Sequence, residues 1–271
     1  MLRRAFLASA LVFVLAAATR ADDKQIKVLI ITGDHGHAWK ETTPFIKEFL
    51  TKAGMKVDVT ETPNKDLTDD NLAKYDVLLL NYKDTQNGKP ESRWSEANQK
   101  AFLNSVKGGK GLVVYHHASS AFIKGTEFDK EFEKAIAGGW RKQGNHGKPH
   151  EYNVTIRKAD HPITKDLPRE FAHNKDELYQ NSVMLPDSTV LATAYSDKNI
   201  DPKNSGKEEP VVWVASYGKG RVCENVLGHD VAAMKDLGFQ TLLIRGVEWA
   251  ATGNVHYSVP KELKAVEKKR S

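Results

Sequence analysis

GLVVYHHASSAF, residues 111–122, decides the fold. From Gly111 to Tyr115 the run is uncharged and apolar, and the chain then turns polar through His116, His117, Ser119 and Ser120. A short apolar run of this kind, ended by small polar residues, is the pattern of a strand buried on both faces of a parallel sheet. In such sheets ligands bind beyond the carboxyl ends of the strands. Two imidazoles at that end therefore mark both the architecture and the place to look for chemistry.

Outward from this stretch the same pattern repeats. IKVLIITG (26–33) and YDVLLLNY (75–82) are further buried runs, and MKVDVTE (55–61) alternates as a strand does. Between them, HAWKETTPFIKEFLTKAG (37–54) places Phe45, Ile46, Phe49 and Leu50 on one helical face, with Gly54 as the stop. A second helix starts after Ser95 as N-cap and turns Trp94, Ala97, Ala101, Phe102 and Val106 inward. This β-α-β-α-β rhythm predicts an α/β fold: a doubly wound, mostly parallel sheet flanked by helices. The second half predicts strands at 151–157, 188–195, 210–217 and 220–228, with a hairpin turn at Tyr217–Gly220, and a last helix over 235–251. Residues 196–209 are polar and predict a mobile loop.

The chain begins MLRRAFLASALVFVLAAATRADD. Two arginines, an apolar run over 5–18 and small residues after it predict a secretory signal peptide over 1–21, hence export to the periplasm or beyond. The run is too short to span a bilayer, and no other stretch is long enough, so no integral membrane segment is expected in the mature chain. The main domain is then 24–256, followed by a charged tail, 257–271, expected to fray. The net charge of +5 falls to +2 once Arg3, Arg4 and Arg20 are removed with the leader, which is too little to suggest nucleic acid as a partner. Nothing in the sequence sets an oligomeric state. The single cysteine, Cys223, excludes an internal disulfide and reads as a buried strand residue.

Candidate residues cluster just after the predicted strands. GDHGHAW (33–39) offers His37 and Trp39 as functional groups, whereas His35 reads as a surface residue. His116 is expected to face the cleft, with His117 packed or solvated beside it. Ser119 is able to bond a substrate hydroxyl or to cap the following turn. LGHD (227–230) offers His229, with Asp230 either orienting it or capping the next helix. NKDELYQ (174–180) offers Glu177 and Asp176, one as a base and the other as an orienting or substrate-binding group, with a solvated acidic turn as the alternative. Arg141, His146 and His150 line a cleft mouth or sit on the surface. HPIT (161–164) reads as architectural, with His161 bonded to backbone. No HExxH or similar spacing marks a metal site; His37, His116 and His229 would hold a divalent metal only by convergence from separate loops.

Taken together, ITGDHGHAWKETTP (31–44), GGKGLVVYHHASSAF (108–122), HPIT (161–164), DELY (176–179), PVVW (210–213) and GKGRVCENVLGHD (218–230) resemble the ThuA-like (trehalose utilisation) family. The resemblance implies a class I glutamine-amidotransferase-like fold of flavodoxin-like architecture, without amidotransferase chemistry, because His116 stands near where that fold keeps its cysteine. It implies His37, His116, Glu177 and His229 as the catalytic set and a small-molecule sugar or glycoside, such as a 3-keto-glycoside, as the ligand.

Three functions compete on these residues. The first is an enzyme that moves a proton next to a ketone and so isomerises or eliminates a glycoside. The second is a sugar-binding protein of the cell envelope, with Trp39 and Trp140 as stacking surfaces and Trp94 and Trp213 placed in the core. The third is glycoside hydrolysis by paired carboxylates, with Asp34 or Asp84 set against Asp176 and Glu177.

Overall fold

The structure is a computed structural model that describes residues 25–33, 36–84 and 94–267. β1 (Lys27–Ile31) is followed by α1 (Trp39–Lys52), β2 (Lys56–Thr60), α2 (Pro63–Asp66), α3 (Asp69–Leu72), β3 (Val77–Leu80), α4 (Glu96–Lys107) and β4 (Gly111–Tyr115). A 3₁₀ turn, His116–Ser120, leaves β4 and α5 (Glu127–Ala135) comes next. Then follow β5 (Gly138–Gly139), β6 (Asn145–His146), β7 (His150–Ile156), β8 (Glu170–Asp176), β9 (Tyr179–Gln180) and β10 (Val183–Met184). The chain ends with β11 (Thr189–Tyr195), β12 (Glu208–Tyr217), β13 (Gly220–Asn225), α6 (Val231–Met234) and α7 (Leu237–Thr252).

Nine strands form one sheet in the order β2-β1-β3-β4-β13-β12-β11-β7-β8. The first five pair in parallel, in the 2-1-3-4-5 order of flavodoxin-like sheets. From β13 onward the pairs are antiparallel, so the second half is a meander that extends the doubly wound core. The β12–β13 hairpin turns at Gly218, whose φ of 61° is the left-handed conformation that a tight hairpin demands.

The apolar runs are continuous because both faces of the sheet are covered. Val28, Ile30, Leu79 and Val113 face one core with Ile46, Phe49, Leu50 of α1 and Phe239, Leu242, Leu243 of α7. Leu29, Ile31, Leu78 and Val114 face the other with Phe102 and Val106 of α4 and Phe132 of α5. Successive strand residues point to opposite faces, so each run feeds both layers. Ser95 caps α4 by accepting from the Asn98 amide. Cys223 is buried on β13. Among the described residues no helix is long and apolar enough to cross a membrane; the expected signal peptide, 1–21, lies outside them.

Four expectations need correcting. β8 is a strand that periodicity does not announce, because two of its inward positions are His173 and Asp176. The loop before β12 is tied down: Asp201 accepts the Lys148 and Lys203 amides at 2.9 Å each, and Asn204 accepts from the Gln180 amide group at 3.1 Å. The last helix starts at Leu237, where Asp236 caps it, with the separate turn α6 before it. Within the charged tail, Val259 and Leu263 pack against the core and the Val266 amide donates to the Glu170 carbonyl, so the described part does not fray.

Candidate active site

β4 delivers His116 to the carboxyl end of the sheet. The residue sits at φ 42°, a left-handed conformation that a side chain adopts only where surrounding structure enforces it. The strand-to-3₁₀ turn thus presents an imidazole as a nucleophile elbow presents its nucleophile. Its Nδ1 donates to the Val226 carbonyl at 2.8 Å, which fixes the tautomer and leaves Nε2 as the acceptor. The Tyr179 hydroxyl lies 3.1 Å from that Nε2.

Three other segments converge on the same point. Glu177, just beyond β8, places Oε2 3.7 Å from His116 Nε2, 3.9 Å from His37 Nε2 and 3.1 Å from His229 Nδ1. His37 comes from the β1–α1 connection and His229 from the turn after β13, both at strand ends. One donor atom from each of His37, His116, Glu177 and His229 lies within 4.8 Å of the other three. The other carboxylate oxygen, Oε1, lies 3.7 Å from His146 Nε2. His117 packs against His37 with ring centroids 3.8 Å apart and the planes tilted by 44°, and Lys83 Nζ lies 3.3 Å from His117 Nε2.

Charge follows the geometry. Burial alone would push Glu177 up, but the surrounding imidazoles of His116, His229 and His37 outweigh it and hold the carboxyl far below its usual range. His229 is raised by Glu177, whereas His37 is lowered by burial. The site is therefore an ionised carboxylate inside a ring of imidazoles.

This donor set suits a divalent first-row ion, which favours imidazole nitrogen with a carboxylate oxygen. Ligands at about 2.1 Å from a tetrahedral ion stand about 3.4 Å apart, close to the separations seen. His229 Nδ1 is buried 3.1 Å from Glu177 Oε2, and a bound ion would take the place of a proton between them.

The remaining expected residues lie elsewhere. Trp39 is buried at the start of α1. Ser119 is fully buried; its Oγ accepts from the Trp140 amide and its carbonyl from Arg141. Arg141 also binds the Trp140 carbonyl and pairs with Glu133 at 3.3 Å, so it braces the 138–141 segment. Asp230 caps α6 through the Ala233 amide. Asp176 is 1% exposed and faces His173 in the core. His161 accepts from the Ile163 amide, and Trp94 and Trp213 are core residues. His35 and Asp34 lie outside the described residues. His146, expected at a cleft mouth or on the surface, joins the site beside Glu177; Tyr179 and Lys83 join it without having been singled out, although strand-end position was the signal for Lys83 and the DELY motif for Tyr179.

The trehalose-utilisation family model, ThuA, matches residues 27–250. The chain belongs to the ThuA family. A putative ThuA-like protein from Parabacteroides merdae is 34% identical over 89% of this chain and 95% of its own, with a TM-score of 0.77. Another from Bacteroides uniformis is 22% identical over 88% of this chain and 98% of its own, with a TM-score of 0.67. A cytoplasmic protein of Salmonella typhimurium shares the fold at 15% identity, covering 84% of this chain and all 100% of its own, with a TM-score of 0.58. No curated protein matches. The ThuA fold here is glutamine-amidotransferase-like, with His116 at the strand end and the lone Cys223 buried within β13.

Proposed function

We propose that this ThuA protein is an exported carbohydrate-active enzyme that moves a proton on a glycoside or 3-keto-glycoside, at a divalent ion held by His37, His116, Glu177 and His229. The observation that carries the reading is the convergence of three imidazoles and one carboxylate, all from strand ends, to within 4.8 Å. A bound ion would supply a Lewis acid for a ketone oxygen and stabilise the negative charge that develops there. A ketone at C3 acidifies the C2–H bond, and removal of that proton allows isomerisation, or expulsion of the glycosidic oxygen from C1.

Glu177, held ionised so far below the usual range, is a weak base. The proton acceptor is then an imidazole outside the four. His146 fits: its side chain is 38% exposed on the solvent side of Glu177, 3.7 Å from Oε1. Tyr179 and Trp140 pack at 4.4 Å beside it and build one wall. Hydrolysis by opposed carboxylates has less support, since Asp176 faces His173 in the core and Asp84 is buried, accepting from the Phe122 amide. Export through residues 1–21 belongs to the same proposal.

Proton NMR of the purified chain with a 3-keto-disaccharide in deuterated buffer tests this, with and without cobalt(II) or zinc(II). Metal-dependent loss of the signal beside the ketone is the expected result. Ligand broadening without exchange would instead mean a sugar-binding protein.

A further inference from the structure

Beneath the site lies a buried ion-pair chain that none of the chemistry above uses. His173, on β8, is sandwiched between two carboxylates: Nε2 is 2.8 Å from Asp176 Oδ2 and Nδ1 is 3.3 Å from Asp236 Oδ1. The imidazole and Asp176 are fully enclosed, and the Asp236 side chain is 10% exposed. Asp236 also caps α7 through the Phe239 amide at 2.8 Å. At the other end, Asp176 collects backbone amides from two separate strand ends. Its Oδ1 accepts from Glu177 at 2.8 Å and from His229 at 2.9 Å, and its Oδ2 accepts from Gly228 at 2.6 Å.

Two of those amides belong to residues whose side chains meet in the site, Glu177 and His229. These residues lie 52 positions apart in sequence and on different strands, so their approach depends on something that holds both backbones. A single carboxylate that binds both fixes their separation directly. Its own orientation is fixed in turn by His173, and His173 by the cap of α7.

We infer that Asp176 and His173 are positioning residues that set the distance between Glu177 and His229, so that the α7 cap, β8 and the turn after β13 act as one rigid frame for the site. This deepens the function proposed above and rests on it for the identity of the bound ion. A carboxylate so enclosed does not touch substrate; it acts through the ligands, as outer partners of metal ligands do.

Asp176→Asn tests the inference. Asparagine keeps the shape and one acceptor oxygen but cannot accept from all three amides and His173. Two readouts are made on the full chain. The first is amide hydrogen exchange of the metal-free protein. Gly228 and His229 are expected to exchange at least about tenfold faster in the variant while β1 and β3 amides keep their protection. The second is cobalt(II) titration followed by its visible absorption, in which affinity is expected to fall about 10–100-fold. Ile163→Val, a core change outside the frame, serves as the control for simple destabilisation and keeps its cobalt affinity. Should Asp176→Asn not fold, Asp236→Asn retains the α7 cap and weakens the hold on His173; it is expected to loosen the same amides and to lower cobalt affinity at least about threefold. Unchanged protection at Gly228 and His229, or cobalt affinity equal to that of the parent, overturns the inference. A parent that binds no cobalt sinks the metal reading of the site, while the exchange arm still decides whether Asp176 holds the two residues.

Discussion

Alkaline pH should destabilise this protein through His173. The imidazole is enclosed, so burial alone would lower its pKa; Asp176 and Asp236 outweigh that and raise it to about 9. An unfolded histidine titrates near about 6.5. The native state therefore binds this proton more tightly than the unfolded chain does. Its contribution is fully present below about pH 6.5 and is lost as pH rises through about 9. With 1.36 kcal/mol for each pKa unit, the total is about 3 kcal/mol. Asp176 is lowered by the same contact, so that coupling counts once. The assay is urea unfolding of the parent and of His173→Gln at intervals from pH 6 to pH 10, read as the difference between the two stabilities. That difference should shrink by about 1.4 kcal/mol per pH unit across the window and then level off. A flat difference curve would show that the histidine is neutral in the native protein, and the frame of two carboxylates and one imidazolium would be wrong.

Glu224 gives a second pH effect from a different cause. Burial raises its carboxyl to about 8, so stability is lost as pH climbs from its unfolded value towards that point; Glu224→Gln should flatten this part of the parent's stability profile. His116→Ala removes a donor from the centre of the cluster and should abolish stoichiometric zinc binding, measured by elemental analysis after dialysis, while circular dichroism stays that of the parent. Retained stoichiometry would exclude His116 as a ligand. Gly138→Ala should be strongly destabilising, by about 1–3 kcal/mol in thermal or urea unfolding, because the new Cβ would lie 1.9 Å from the Val183 carbonyl at a residue with φ 134°. The same variant should also weaken substrate binding, since Gly138 anchors the segment that carries Trp140 and His146.

The parallel half of the sheet was legible because its strands are enclosed on both faces. Ile26–Gly33, Tyr75–Tyr82 and Gly111–Tyr115 need no partner to be recognised: burying both faces demands an unbroken apolar run, and the run shows in the sequence. The strand-end rule then located His37, His116 and His229 without geometry. The antiparallel edge was harder. β8 reads EFAHNKD, and the residues it turns inward include His173 and Asp176, whose burial is stable because they pair with each other, with Asp236 and with backbone amides. The loop 196–209 looked mobile by composition, yet Asp201 and Asn204 find backbone and side-chain partners from residues 148 and 180.

The sequence by itself thus determined the α/β architecture, the family resemblance and the strand ends at which the candidate residues gather. These follow from local hydrophobic pattern and from motifs written along the chain. Only the tertiary structure decided that His37, His116, Glu177 and His229 meet within 4.8 Å, that Asp176 is buried against backbone amides and His173, and that Asp230 caps a helix. No spacing rule encodes such contacts, because they join residues far apart in sequence through strand order and turn geometry. Polar residues of one type acquire different roles according to what the fold sets against them.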